Sequence, residues 1–228
     1  MNPKETVPFL LPSLDEITLG IQRYAGVLHE QKSNRVLSEK ISQIAKDVPT
    51  VLAPRSLLKK TTIIAFKKNT LTGECISIAS RRLVSFVSSM NRPAFLYGFA
   101  LTMGQQIDRL VAQCQRTSWS KALFLDAAGS FFVEHYADLV EKHLRNELSL
   151  QGFELSARFS PGYCDWNVGQ GQTAISQFLM PQSIGIKISP AGAMSPLKSI
   201  TGIVVAAASM PMRKPCAWCD ESNCPYRH

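Results

Sequence analysis

The sequence contains no apolar run long enough to cross a bilayer. Its longest uninterrupted aliphatic stretch, Ile203 to Ala208, falls far below the roughly 18–20 residues that a membrane helix needs. It also lacks the apolar centre of a secretory signal, because the early run Val7 to Leu11 is interrupted by Pro8 and closed by Pro12. These absences predict a cytoplasmic protein. No block reaches the roughly five or six like charges that mark a nucleic-acid-binding arm. The 25 Lys and Arg exceed the 17 Asp and Glu, for a net charge of +8, yet they gather only as pairs such as Lys59-Lys60, Lys67-Lys68 and Arg81-Arg82. That balance admits an anionic ligand or an acidic partner without requiring either. Repeats and low-complexity segments are absent. The four histidines form no nucleophile–base pattern, and His29, His135 and His143 read as ordinary helix residues.

What is present is a globular composition. The chain has 228 residues, 45% hydrophobic and 18% charged, enough to bury a substantial core. Six cysteines occur, three dispersed at 75, 114 and 164 and three gathered at 216, 219 and 224. This usage fits a reducing compartment with one metal or redox site better than a disulfide framework. Cys75 and Cys114 stand among apolar residues and read as small core residues.

Periodicity predicts helices over 13–48, with Ser13 as an N-cap, Ile17, Ile21, Tyr24 and Val27 inward, and a second helix from Asn34 to Asp47 turning Val36, Ile41 and Ile44 inward. Pro49 and Pro54 punctuate a linker. Strands are expected at 61–70 and 75–80, joined by a turn at Leu71-Thr72-Gly73, then a short helix over 81–90 and a buried strand over 94–101. Helices follow over 104–115 and Ser120 to Leu148, the latter with Gly129 inside it. A strand over 153–159, a helix from Gln172 to Leu179, and strands over 184–189 and 200–208 complete the chain. The sum is an α+β fold, a mainly antiparallel twisted sheet flanked by helices with a helical N-terminal region. Three parts are expected: a helical region 1–54, an α+β domain 55–210, and a cysteine-rich tail 211–228.

One stretch, Arg158 to Trp166, reads RFSPGYCDW. A guanidinium beside a Pro-Gly turn binds carboxylates bidentately. Gly162 lets a ligand approach the backbone, and Tyr163 offers a ring face and a hydroxyl. The set suits an amino-acid-like ligand carrying a ring system, although pairing of Arg158 with a nearby Glu or Asp is the plain structural alternative. On the long helix, Glu134, Asp138, Glu141 and Arg145 share one face and Phe132, Tyr136, Leu139 and His143 another, so periodicity alone makes Glu134 a solvated residue.

R-x-S-P-G-Y at 158–163, A-M-S-P-x-K-S-x-T-G at Ala193 to Gly202, and LDAAGSFFVEHYADLVEKHLR at 125–145 together resemble the activation domain of cobalamin-dependent methionine synthase. The likeness runs in order from about Asn91 to Ala208. It implies S-adenosylmethionine binding, with Arg158, Pro161, Gly162 and Tyr163 on the ligand's methionine end and adenine, and Glu134 as the helix glutamate. It also implies a partner, a corrinoid protein or corrinoid-dependent methyltransferase, and an electron-donor protein. The chain departs from the family in three ways. It has no room for the substrate and cobalamin domains of a complete methionine synthase, and no D-x-H-x-x-G corrinoid motif. The family's early acidic residue has no clear counterpart in the N-terminal region, where Asp15 is a weak candidate. The family's late tyrosine falls beyond Val205, in a small-residue run.

The tail KPCAWCDESNCPYRH spaces its thiols C-x2-C-x4-C and ends at His228. Clustered thiolates bind a soft ion or an iron–sulfur cluster. Cys216, Cys219 and Cys224 are completed by His228 for zinc, or by Cys164 for a cluster beside the ligand loop. The functional reading is an S-adenosylmethionine-binding accessory protein for reductive methylation of a corrinoid on a partner. The competing readings are a zinc-knuckle-like nucleic-acid module or a purely structural relative. The knuckle reading is weakened by the C-x2-C-x4-C-x3-H order and by aromatic residues that do not interleave with basic ones.

Overall fold

The computed structural model describes residues 6–27 and 35–211. The chain opens with α1 (Leu14–Tyr24), set by a capping box. Ser13 Oγ accepts from the Glu16 N–H at 3.3 Å, and Glu16 accepts in return from the Ser13 N–H at 2.8 Å. Helix α2 (Arg35–Asp47) follows and buries Ile41, Ile44 and Ala45. Val36, expected inward, is 63% exposed because it sits in the first turn of α2, short of the core-facing stripe. Tyr24 is likewise half exposed at the end of α1.

A six-stranded sheet forms from β1 (Arg55–Lys67), β2 (Thr70–Gly73), β3 (Ser77–Ala79), β4 (Asn91–Thr102), β5 (Glu154–Leu155) and β8 (Ser199–Ser209) in the order β3-β2-β1-β4-β8-β5. Every neighbouring pair is antiparallel. The α+β class expected from the sequence is therefore the class observed. Central strands β4 and β8 are apolar on both sides because helices cover both faces. Leu58, Phe99, Leu155 and Val204 join α1, α2 and α5 (Trp119–Ser149) in one core. Leu57, Leu96, Ile203 and Val205 face α3 (Arg81–Ser88) and α6 (Val168–Leu179) in the other. Helix α4 (Gln106–Gln115) leads into α5, and a small ribbon pairs β6 (Lys187–Ile188) with β7 (Met194–Ser195).

Helix α5 is 31 residues long and capped by Ser118. Phe124, Ala128, Phe132, Tyr136, Val140, Leu144 and Leu148 recur every fourth position and are all buried. The Tyr136 hydroxyl donates to the Val7 carbonyl at 2.5 Å, and the Val7 N–H donates to Ser56 Oγ at 2.8 Å. Phe9 packs edge-on against Phe132, His135 and Tyr136. His135 reaches the Leu10 carbonyl oxygen at 2.9 Å.

Four local expectations are corrected. The chain reverses at Lys68-Asn69, with Lys68 at φ 53°, and not at Leu71-Thr72-Gly73. Leu71 is fully buried, so core packing draws that segment into β2. The 153–159 strand shrinks to β5 and a single bridge from Phe159 to Ile203, because Ser156 Oγ takes the Val205 N–H at 2.9 Å. Residues 184–189 do not pair with β8. Pro181–Ile184 forms a 3-10 turn and Gly185 turns the chain at φ 86°, which leaves only β6 extended. Cys75 is exposed, in place of the core position expected for it, whereas Cys114 is half-buried and packs against the margin of the core. No described helix is long and apolar enough to cross a membrane.

Candidate functional site

The loop after β5 is fixed from both ends. The Asp165 carboxylate accepts from the Ser80 hydroxyl at 2.6 Å and from the Arg81 and Arg82 N–H groups at 2.9 and 3.2 Å, closing the N-terminus of α3. Partial burial acts to raise its pKa, but these hydrogen bonds outweigh it and hold the carboxyl below its ordinary value. Trp166 is buried, and Asn167 caps α6 by accepting from the Gln170 N–H at 3.0 Å. Ahead of these anchors Gly162 adopts φ 98°, conformational space open to glycine, and donates its N–H to the Trp166 carbonyl at 2.7 Å. Pro161 is half-buried, while Gly162 and Tyr163 face solvent.

Arg158 leaves this loop toward α5. Its Nη2 lies 2.8 Å from Asp138, its Nη1 3.3 Å from Glu134 and its Nε 3.4 Å from Glu141. Arg145 meets Glu141 at 2.6 Å and donates to the Leu155 carbonyl at 3.0 Å. The two residues carried over by motif, Arg158 and Glu134, are thus in direct contact. The guanidinium, with 23% of its side chain exposed, sits inside a ring of three carboxylates, whereas 44% of Glu134 and 69% of Asp138 face solvent. Partial loss of hydration raises the Asp138 pKa, Arg158 pulls it back, and Glu141 adds to the rise. The Tyr24 hydroxyl stands in the same field. Burial raises its pKa first, and the negative charge of Glu134 adds to that.

The 193–202 segment reaches the same helix further toward its N-terminus. Lys198 is buried, 2.7 Å from Asp126 and 3.0 Å from Ser130 Oγ. Its stem crosses Gly129, where an added Cβ would lie 2.8 Å from Lys198 Cγ. The glycine inside the long helix is therefore a lysine crossing point. The Leu197 N–H donates to Asp108 at 2.7 Å, and burial raises the Asp108 pKa against that bond. The Thr201 hydroxyl donates to Gln172 at 3.0 Å. Gly202 lies where a Cβ would come 2.6 Å from the Phe99 ring and 2.7 Å from the Phe159 carbonyl oxygen. Residues 193–202 hold the loop that bears Arg158 and the helix that bears Glu134 in one frame.

The site is an open surface. The crevice below Arg158, lined by Phe99, Val140, Leu144 and Val204, is too narrow for water. A broader hollow of about 340 Å³ lies elsewhere, between the β2–β3 connection and α6. Cys164 is exposed at φ 52°. Among the described residues no group of three His, Cys, Asp or Glu is placed to hold a metal ion. Cys216, Cys219, Cys224 and His228 lie outside the described residues, as does His29. Asp15 is exposed in the first turn of α1. Sequence reasoning missed Asp138, Glu141 and Tyr24 as members of the site. The i, i+4 spacing of Glu134 and Asp138 was the available signal, but it equally describes a solvated helix face.

Among solved structures, the reactivation domain of MetH, determined bound to AdoHcy, shares this fold with a TM-score of 0.62. The alignment covers 93% of this chain and 81% of that domain at 14% sequence identity. No family model matches the chain, and no curated protein matches it. At that identity the likeness establishes the architecture, which is the one the sequence resemblance implies.

Proposed function

We propose that the chain binds S-adenosylmethionine on the Arg158–Glu134 surface and presents its methyl group to a reduced corrinoid carried by a partner protein. The observation that carries the reading is the 3.3 Å contact between Arg158 and Glu134, on a fold shared with a domain solved with AdoHcy. The methionine end of the donor is a zwitterion. Its carboxylate takes the place of one acidic side chain on Arg158, and its ammonium takes the carboxylate so released. Charge-assisted hydrogen bonds are exchanged for others of the same kind, and the exposure of Glu134 and Asp138 leaves them room to move. Gly162 and Tyr163 lie on the same loop, available to backbone and ring contacts.

The reaction asks little acid–base chemistry of the protein. A donor protein supplies one electron to the corrinoid, the sulfonium–methyl bond breaks with its electron pair staying on sulfur, and the methyl passes to the reduced corrinoid. No proton is transferred, so the chain's task is binding and aim. The cysteine tail is a separate part of the proposal, with Cys216, Cys219 and Cys224 holding zinc or an iron–sulfur cluster completed by His228 or Cys164.

Titration calorimetry tests the reading. Wild-type protein binds S-adenosylmethionine, and Arg158→Ala weakens binding about tenfold or more, as expected for a lost hydrogen bond to a charged group. Absence of heat with folded wild-type protein refutes it.

A further inference from the structure

We infer that Asp138 is a specificity-determining residue that makes this surface prefer a sulfonium donor over the neutral thioether left after methyl transfer. The inference rests on the reading above and goes beyond it, because that reading requires only Arg158 and Glu134.

The argument starts from unequal charge. Three carboxylates, Glu134, Asp138 and Glu141, contact Arg158, and among the described residues only one further guanidinium, Arg145, joins them. Among the described residues in direct contact, the acids exceed the bases by one. The excess is not spread evenly. Glu141 is held between two guanidiniums, at 2.6 Å from Arg145 and 3.4 Å from Arg158, with 23% of its side chain exposed. Asp138 meets Arg158 through one oxygen at 2.8 Å and has most of its side chain in solvent. The surplus negative charge thus faces outward, at Asp138 and the neighbouring Glu134. A second group reports the same field. The Tyr24 phenol, on a different element, has its ionisation opposed by Glu134 and Asp138 in addition to burial, with Arg23 and Arg158 only partly offsetting them.

S-adenosylmethionine at neutral pH carries a sulfonium, an ammonium and a carboxylate, for a net charge of +1. S-adenosylhomocysteine has lost the sulfonium charge and is neutral overall. Both offer the same zwitterion to Arg158 and Glu134, so those two residues alone distinguish them poorly. A surface with one surplus carboxylate discriminates. Two unit charges ~6 Å apart, at an effective dielectric constant between ~20 and ~80, differ in binding by a factor of roughly 3 to 100. The preference is carried by Asp138, whose outward oxygen is open to the extra cation. Once the methyl group has left, that attraction vanishes and the product dissociates more readily than the donor does.

The test is titration calorimetry at low salt with three ligands: S-adenosylmethionine, S-adenosylhomocysteine, and sinefungin, whose amine replaces the sulfonium charge without a transferable methyl. With the wild type, both cations bind about tenfold more tightly than the neutral product, and the ratio shrinks as salt is added. In Asp138→Asn the ratio falls to within about twofold, and Asp138→Glu restores it. Equal wild-type affinities for all three ligands overturn the inference and leave the binding reading standing. So does an Asp138→Asn protein that loses all three in proportion, which is the mark of a residue that only positions Arg158. No binding of any ligand to folded wild-type protein overturns both. The salt series on the wild type keeps the inference open to refutation even where a variant fails to fold, because a salt-independent ratio is incompatible with charge selection.

Discussion

Replacing Gly202 by alanine probes how β8 holds the loop that bears Arg158. The new Cβ would stand 2.6 Å from Phe99 Cζ and 2.7 Å from the Phe159 carbonyl oxygen. Phe99 is 2% exposed and has nowhere to retreat. The Phe159 carbonyl accepts the Ile203 N–H at 2.8 Å, and the Phe159 N–H donates to the Ile203 carbonyl at 2.9 Å. Relief therefore costs either overpacking, about 1–3 kcal/mol, or the bridge as well, at about 0.5–1.5 kcal/mol for each of its two hydrogen bonds. With the bridge lost as well the sum is roughly 2–6 kcal/mol, comparable to the ordinary stability of a folded domain at its upper end, and it lowers Tm by roughly 4–24 °C. Thermal melts by circular dichroism give the Tm. Calorimetry with S-adenosylmethionine gives the second readout, because Arg158 immediately precedes Phe159 and moves with it. The expected result is a protein that folds, melts earlier and binds the ligand more weakly. A Tm within about 1 °C of the wild type shows that the crowding relaxes at no cost and refutes the reasoning.

Two further outcomes follow from the loop and the tail. Asp165 has a folded-state pKa below its ordinary value near 3.8, so its contribution is complete above that value and is lost as pH falls through the lower folded one. Acid titration of stability should therefore be flatter below about pH 4 in Asp165→Asn than in the wild type; superimposable acid limbs would count against the cap. Protein purified without oxygen should carry metal on Cys216, Cys219 and Cys224, with an absorbance spectrum separating iron–sulfur from zinc. Elemental analysis showing neither iron nor zinc would remove that part of the proposal.

The broad fold was legible because its signals are local and repeated. The capping box at Ser13 and Glu16, the apolar spacing along α5 and the continuous apolar runs of β4 and β8 each point to one element. What escaped was decided by distant partners. Leu71 resembles a turn residue until α3 covers it, and Ser156 ends a strand only because Val205 lies opposite. At the site, the motif singled out Arg158 and Glu134. The roles of Asp138 and Glu141 depend on where the loop aims a guanidinium, which no spacing along α5 reveals. Gly129 inside a helix signals a close packing contact, but only the fold shows that its partner is Lys198, 69 positions later.

Helix α5 spans about 46 Å at 1.5 Å per residue, and both loops are referred to it. Lys198 grips it near Asp126, and Arg158 grips it three turns further on, near Asp138. The helix acts as a common rail. Any force that tilts either end carries both loops with it, so the distance between them is kept while their direction in space changes.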